Sequence, residues 1–218
     1  MLSDHRLFFQ QYVRNFHATG AIAPSSRWLA VALARYVPGG GLANAAAPRR
    51  ILEVGPGTGA VTRSIVAALG PADRLDLVEL NASFVDHLRD RFRREPSFAA
   101  VADRVRVLHQ KVEDLPPTSA YDALVSGLPL NNFAVDEVQR ILDTFARLLA
   151  PGGTLSFFEY VAVRPARAMV SGAAERQRLR GIGSRLRELL GQHEFRRECV
   201  WRNLPPAWVH HLRLGGTP

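Results

Sequence analysis

The chain has 218 residues, 47% hydrophobic and 22% charged, which suffices to bury a core without covalent staples and contains no apolar run of the ~18 residues that a membrane-spanning helix needs. Its single cysteine, Cys199, excludes an intramolecular disulfide and a cysteine-built zinc site. The formal net charge of +8 is carried at the two ends, +3 over residues 1–40 and +7 over 164–218 around a middle of −2, and Lys111 is the one lysine among 28 basic residues. Such a chain is drawn to an anionic partner, either nucleic acid or an acidic lipid surface.

Residues 2–17 read as an amphipathic helix with Leu2, Phe9, Val13 and Phe16 on one face and Arg6, Arg14 and His17 on the polar side. The start of the chain shows no basic-then-apolar leader, so a cytoplasmic location is expected. Ser25 or Ser26 can cap a second helix over Arg27 to Tyr36. Residues 37–48, rich in Gly, Ala and Pro, read as a linker, which divides the chain into residues 1–37 and a domain over 49–218. From Arg50 onward, strands alternate with helices. The strands are Arg50 to Val54, Arg74 to Glu79, Arg104 to Leu108, Tyr121 to Val125 and Thr154 to Tyr160. The helices are Ala60 to Leu69, Ala82 to Arg93, Val135 to Leu149 and a long basic helix or helix pair over Ser171 to Leu190. Residues 194–202 and 207–214 read as a closing antiparallel pair. The alternation predicts an α/β fold with a mostly parallel sheet covered on both faces.

The first strand runs into Gly55-Pro56-Gly57-Thr58-Gly59 and then a helix. Glycines let backbone approach a ligand where a Cβ would clash, and a helix N-terminus favours negative charge. Glu79 ends the next strand, where a carboxylate can accept hydrogen bonds from ribose hydroxyls. A nucleoside-containing cofactor over the first two strands follows. Gly55, Gly57 and Ala60 also satisfy the dinucleotide fingerprint. However, Glu53, two residues before the first glycine, would repel a pyrophosphate and suits a cationic amino-acid group.

The run Glu53-Val54-Gly55-Pro56-Gly57-Thr58-Gly59 resembles the first motif of class I S-adenosylmethionine-dependent methyltransferases. The resemblance implies a Rossmann-like seven-stranded sheet with a C-terminal antiparallel hairpin, here behind an N-terminal helical appendage. The implied cofactor is S-adenosylmethionine, leaving as S-adenosylhomocysteine. Glu53, Gly55, Gly57, Gly59, Glu79 and Leu80 would hold it, with Ser126 and the loop residues Ser25 and Ser26. After the third strand the usual acid is replaced by Lys111, which leaves Glu113, Asp114 or the backbone of Val112 to meet the base.

Three segments carry a narrower resemblance, to bacterial phospholipid N-methyltransferases. They are Gly20-Ala21-Ile22-Ala23-Pro24-Ser25-Ser26-Arg27, Ser126-Gly127-Leu128-Pro129-Leu130-Asn131-Asn132-Phe133 and Arg202-Asn203-Leu204-Pro205-Pro206-Ala207. Enzymes of that family methylate phosphatidylethanolamine stepwise towards phosphatidylcholine, docking on the membrane from the cytoplasm. The loop after the fourth strand lacks the aromatic that base-methylating relatives stack on a flat substrate, although Phe133 could stand in. Nucleic acid is therefore not the expected partner, no obligate protein partner is evident, and an anionic membrane surface presenting a phospholipid headgroup is the expected one. Leu128, Pro129 and Asn131 would face the headgroup, and Arg27 and Arg164 its phosphate. Glu159 and Tyr160, ending the fifth strand, would accept the amine proton or cradle the cation. The 2–17 helix would contact the membrane or cover the sheet as a lid, and the arginines of 164–197 would add attraction to anionic lipid or lie on a solvated helix face. The rival activity is adenine N-methylation of ribosomal RNA; a non-enzymatic rival is a lipid-binding module on a cofactor fold. No histidine spacing suggests a metal.

Overall fold

A computed structural model describes residues 26–37, 48–117, 120–161 and 172–214. The predicted 2–17 helix, Ser25, most of the linker and Arg164 lie outside the described residues.

Seven strands form one sheet: β1 (Arg50–Val54), β2 (Arg74–Glu79), β3 (Val105–His109), β4 (Tyr121–Ser126), β5 (Leu149–Tyr160), β6 (Glu194–Val200) and β7 (Ala207–Arg213). Their order is β3-β2-β1-β4-β5-β7-β6. The first five are parallel and the β6–β7 pair is antiparallel, as the sequence predicts. The helices are α1 (Arg27–Leu33), α2 (Ala60–Ala68), α3 (Ala82–Arg94), the single turn α4 (Pro96–Ala99), α5 (Val135–Leu148) and α6 (Ala173–His193).

The inner strands β1, β2 and β4 are buried on both faces, which explains their largely apolar runs, whereas the edge strands β3 and β6 are partly exposed. One core joins Leu29 and Leu33 of α1 and Ile65 of α2 to Ile51, Leu77 and Val209. The other joins Ile141 and Phe145 of α5 and Ile182 and Leu186 of α6 to Leu52, Leu124 and Phe157. Residues 26–37 are thus built into the domain rather than appended to it. The end of this segment is tied down as well, because the Arg49 guanidinium bonds both the Val37 carbonyl and the Asp73 carboxylate. Ser26 caps α1, accepting the Leu29 N–H at 3.3 Å.

The helix predicted over Arg27 to Tyr36 ends at Leu33, and two further boundaries differ in ways that matter to the packing. The helix before β5 stops at Leu148, and Pro151-Gly152-Gly153 lies inside the strand as a bulge, where the register jumps from Tyr121↔Leu149 to Ala123↔Thr154. A Cβ on Gly153 would come 2.9 Å from the Tyr121 carbonyl, so the bulge needs a glycine. The long basic segment forms one helix to His193. Gly181 lets it approach α5, since a Cβ there would lie 2.9 Å from Val135.

Pairing Val54 with both Val78 and Ser126 brings the carboxyl ends of β1, β2 and β4 to one edge. Ligands bind beyond that edge in open α/β sheets.

Candidate active site

The turn after β1 is left-handed at all three glycines, with φ of +69° at Gly55, +56° at Gly57 and +80° at Gly59. It is held from two directions. The Gly55 N–H extends the sheet by donating to the Val78 carbonyl at 2.9 Å. The Gly57 N–H donates to Glu79 Oε2 at 3.0 Å, and the Asn81 N–H donates to Oε1 of the same carboxylate at 2.8 Å. Glu79 is buried, and desolvation raises its pKa despite those bonds.

Below the turn, Glu53 is 1% exposed and neither carboxylate oxygen has a hydrogen-bond partner. Desolvation pushes its pKa up to about 8, with the neighbouring Thr62 offsetting part of the effect. An unpartnered buried carboxylate is costly. One placed under a glycine turn is suited to a cationic ligand group. Gly57 also leaves its side of the turn open, since a Cβ there would meet nothing within 4 Å.

Arg91 of α3, which sequence reasoning does not single out, supports the turn from beneath. Its Nη1 donates to the carbonyls of Thr58 and Gly59 at 2.7 and 3.0 Å, while Nε and Nη2 grip Glu95 at 2.6 and 3.1 Å. Those hydrogen bonds, with another from Arg63, hold the Glu95 pKa down at about 2. Phe98 lies under the Arg91 guanidinium at 4.1 Å. Arg91 sits in an arginine-rich helix that reads as a solvated face; only its i−3 and i+1 neighbours Leu88 and Phe92, both buried, hint otherwise.

Beside the turn lies a cavity of about 600 Å³, open solvent included. Gly55, Glu79, Leu80, Val112, Glu113 and Leu128 line it, all of them predicted contacts, as do Gln110 and Lys111. Asp114 does not line it. Val54, Val78, Phe133, Glu137 and Ile141 complete the walls. Apolar walls with the carboxylates of Glu79, Glu113 and Glu137 among them suit a flat base and its ribose. Sequence reasoning misses Glu137 and Ile141, one helical turn apart at the start of α5; their position just after the Leu128–Phe133 loop is the available signal.

That loop is packed tightly against the turn. The Gly127 N–H donates to the Val54 carbonyl at 2.8 Å, and a Cβ on Gly127 would lie 2.5 Å from the Gly55 carbonyl. Ser126 is fully buried and its hydroxyl accepts the Leu128 N–H at 3.3 Å, so it shapes the loop. It is not part of the cavity wall. Pro129 is half-buried and leads into a 3₁₀ turn over Leu130–Asn132. Asn131 is buried with its Oδ1 unpartnered. Arg178 of α6 latches the loop, donating to the carbonyls of Asn131, at 3.1 Å, and Phe133 while paired with Glu175. The expectation for the arginines of α6 is lipid or solvent; this one holds backbone.

At the end of β5, strand alternation sends Glu159 and Tyr160 to opposite faces. Tyr160 packs edge-on against Phe158, and burial raises its phenol to about 12. It therefore stays neutral and offers a ring and a hydroxyl rather than a base. Glu159 Oε2 lies 3.5 Å from Nε2 of His210, whose Nδ1 is 2.6 Å from Glu194. Arg27 is exposed, its guanidinium 4.5 Å over Trp28. Ser26 is joined to the Arg202–Ala207 segment: its N–H donates to Asn203 Oδ1 at 3.1 Å. No group of three or more metal-ligating side chains occurs among the described residues.

The family described as methyltransferase domain matches residues 51–153. The ornithine lipid N-methyltransferase of Singulisphaera acidiphila is 32% identical over 155 residues, 71% of this chain and 77% of that protein. A ribosomal RNA small subunit methyltransferase A of Parasynechococcus marenigrum is 38% identical over 82 residues, covering 38% of this chain and 26% of that protein. Among solved structures, the O-methyltransferase TomG of Streptomyces achromogenes, in complex with SAM, superposes with a TM-score of 0.60 at 19% identity, over 89% of this chain and 82% of that one. Seven strands in this order, a glycine turn over a buried carboxylate and these relatives converge: the chain belongs to the class I S-adenosylmethionine-dependent methyltransferases.

Proposed function

We propose that this enzyme methylates the amine of a phospholipid headgroup, taking phosphatidylethanolamine through its monomethyl and dimethyl forms towards phosphatidylcholine at the cytoplasmic face of a membrane. The observation that carries the reading is the match to a lipid N-methyltransferase over 77% of that protein's length. The ribosomal RNA enzyme, by contrast, is matched over only 26% of its own. The loop after β4 supports the choice, since Gly127-Leu128-Pro129-Leu130 has no ring at the position where base-methylating relatives carry theirs, Phe133 being the one aromatic of the loop.

S-adenosylmethionine supplies an electrophilic sulfonium methyl when bound. The glycine turn and Glu79 would hold its nucleoside part, and Glu53 its ammonium group. The headgroup amine enters as an ammonium and must lose a proton before its lone pair can attack. Glu159, whose Oε2 lies 3.5 Å from Nε2 of His210, accepts that proton. Tyr160 turns a neutral ring to a headgroup that becomes permanently cationic as methyls accumulate. Arg27, with Arg164, pairs the lipid phosphate. Positioning an amine against a methyl in a dry site supplies most of the rate.

The test is incubation with radiolabelled S-adenosylmethionine and vesicles of phosphatidylethanolamine and phosphatidylglycerol, followed by lipid chromatography. Label in mono-, di- or trimethylated phosphatidylethanolamine is expected. Parallel vesicles carrying ornithine lipid test the activity that the relative's name suggests, and label appearing there alone would move the substrate to that amine. Incorporation into RNA alone, abolished by ribonuclease, would overturn the lipid reading.

A further inference from the structure

The start of α1 and the turn joining β6 to β7 meet at the same edge of the sheet as the site. The Ser26–Asn203 bond holds them together, and the Val161 N–H donates to the Pro206 carbonyl at 2.7 Å, fixing the turn beside the carboxyl end of β5. Asn203 is buried and braces the turn further, donating to the Pro205 carbonyl at 2.7 Å.

Around this brace, large apolar side chains face solvent. Trp201 is 70% exposed and Leu204 81%, at the tip of a turn where polar residues are usual; Trp28 and Val31, one helical turn apart on α1, are exposed beside them. Among the described residues the one other large exposed apolar side chain is Phe195, at the far end of β6. Two guanidiniums lie against the Trp28 ring, Arg27 at 4.5 Å and Arg202 at 4.8 Å. Scattered exposed apolar residues need no explanation, but a cluster rimmed by charge marks an interaction site. Tryptophan with arginine suits a bilayer interface, where the ring sits at headgroup depth and the cation meets phosphate.

We propose that the edge formed by Trp28, Val31, Trp201 and Leu204, rimmed by Arg27 and Arg202, docks on an anionic bilayer. The inference rests on the lipid-amine reading and adds the surface that makes it workable. Because the patch and the site share one edge, docking turns the mouth of the site towards the headgroups, and the acceptor amine reaches it without the lipid leaving the membrane. Leu204 and Trp201, at the tip, enter between headgroups, while Arg27 and Arg202 stay at phosphate level. The chain's +8 charge draws it to the surface. No helix of the described residues is long and apolar enough to span the bilayer, so attachment through them is interfacial.

The test uses the full chain and two variants, Leu204→Glu and Trp201→Ala/Leu204→Glu. Co-sedimentation with vesicles of equal phosphatidylglycerol and phosphatidylethanolamine measures docking. Cofactor affinity, and methylation of a short-chain phosphatidylethanolamine held below its micellar concentration, report on the site. The proposal expects partition weakened about tenfold or more in the double variant, less in the single variant, with vesicle methylation falling in step and the other two readouts unchanged. Wild-type partition in both variants would overturn it, as would failure of the unaltered protein to sediment with anionic vesicles. So would a variant that changes oligomeric state along with partition, which would assign the patch to a second copy. Intact docking without methylation of any lipid would overturn the lipid-amine reading and leave the surface standing.

Discussion

A Cβ on Gly59 would lie 2.5 Å from Nη1 of Arg91, the same nitrogen that donates to the Gly59 carbonyl at 3.0 Å. The last glycine of the turn is thus seated on a buried guanidinium. Gly57, two residues earlier, has open space around it.

The two glycines should respond differently to alanine. Gly59→Ala combines left-handed strain with a collision against Arg91 and should destabilise the fold by about 3 kcal/mol. Gly57→Ala meets only the strain, about 1 kcal/mol, yet alters the turn where the cofactor approaches. Thermal unfolding should separate the variants in that order. Calorimetric titration with S-adenosylmethionine should show Gly57→Ala weakened about tenfold or more, although this variant stays the more stable of the two.

Arg91 itself ties α3 to the turn through a planar fork, which lysine lacks. Arg91→Leu frees two carbonyls and the Glu95 carboxylate and should cost about 2–3 kcal/mol together with most cofactor affinity. Arg91→Lys should recover little of either, because one ammonium cannot serve Thr58, Gly59 and Glu95 together. Full recovery of cofactor binding by lysine would show that charge alone is required.

Glu53 makes stability depend on pH in an unusual direction. Its folded pKa of about 8 lies above the ordinary 4.5. Between those values the folded chain holds a proton that the unfolded chain has released, so stability falls as pH rises through this window. Glu53→Gln should therefore stabilise the cofactor-free protein at pH 8 by about 4 kcal/mol, raising its melting temperature by about 8–16 °C, and change little near pH 4. A bound ammonium reverses the preference. Cofactor affinity should rise with pH from 6 to near 8, approaching tenfold per unit, with a proton released on binding. Titrations in two buffers of different ionisation enthalpy count that proton, and Glu53→Gln should abolish both effects.

Arg178 holds the acceptor loop rather than the cofactor turn. Arg178→Ala releases the carbonyls of Asn131 and Phe133 and should raise KM for the lipid acceptor about tenfold, worth 1–2 kcal/mol, with a smaller effect on cofactor affinity. Steady-state kinetics with each substrate varied in turn checks this; equal losses on both sides would mean that the loop serves cofactor and acceptor alike, and a loss on the cofactor side alone that it does not position the acceptor.

Local chemistry is legible in the order of the residues. β1, β2 and the glycine turn follow from an apolar run, a positive-φ requirement and a helix start, all written within a few neighbouring residues. Glu53, Glu79 and the Val112–Glu113 segment follow from their place at strand ends. The antiparallel β6–β7 pair follows from two extended segments separated by Pro205-Pro206. Boundaries fail where pairing outweighs propensity: Pro151-Gly152-Gly153 reads as a stop, yet it is carried into β5 by the bulge against Tyr121.

The remaining features depend on residues distant in the chain. Arg91 and Arg178 lie in helices whose arginine content signals solvent, and only packing reveals that each bonds backbone carbonyls of a loop 33 and 47 residues away. The Ser26–Asn203 bond spans 177 positions, and no periodicity encodes it. Periodicity and turn chemistry are properties of neighbours, so they suffice to name the strands and the cofactor turn. Which buried charge supports that turn, and which apolar side chains are left facing outward at the mouth of the site, are settled when the sheet closes and distant segments compete for the same space.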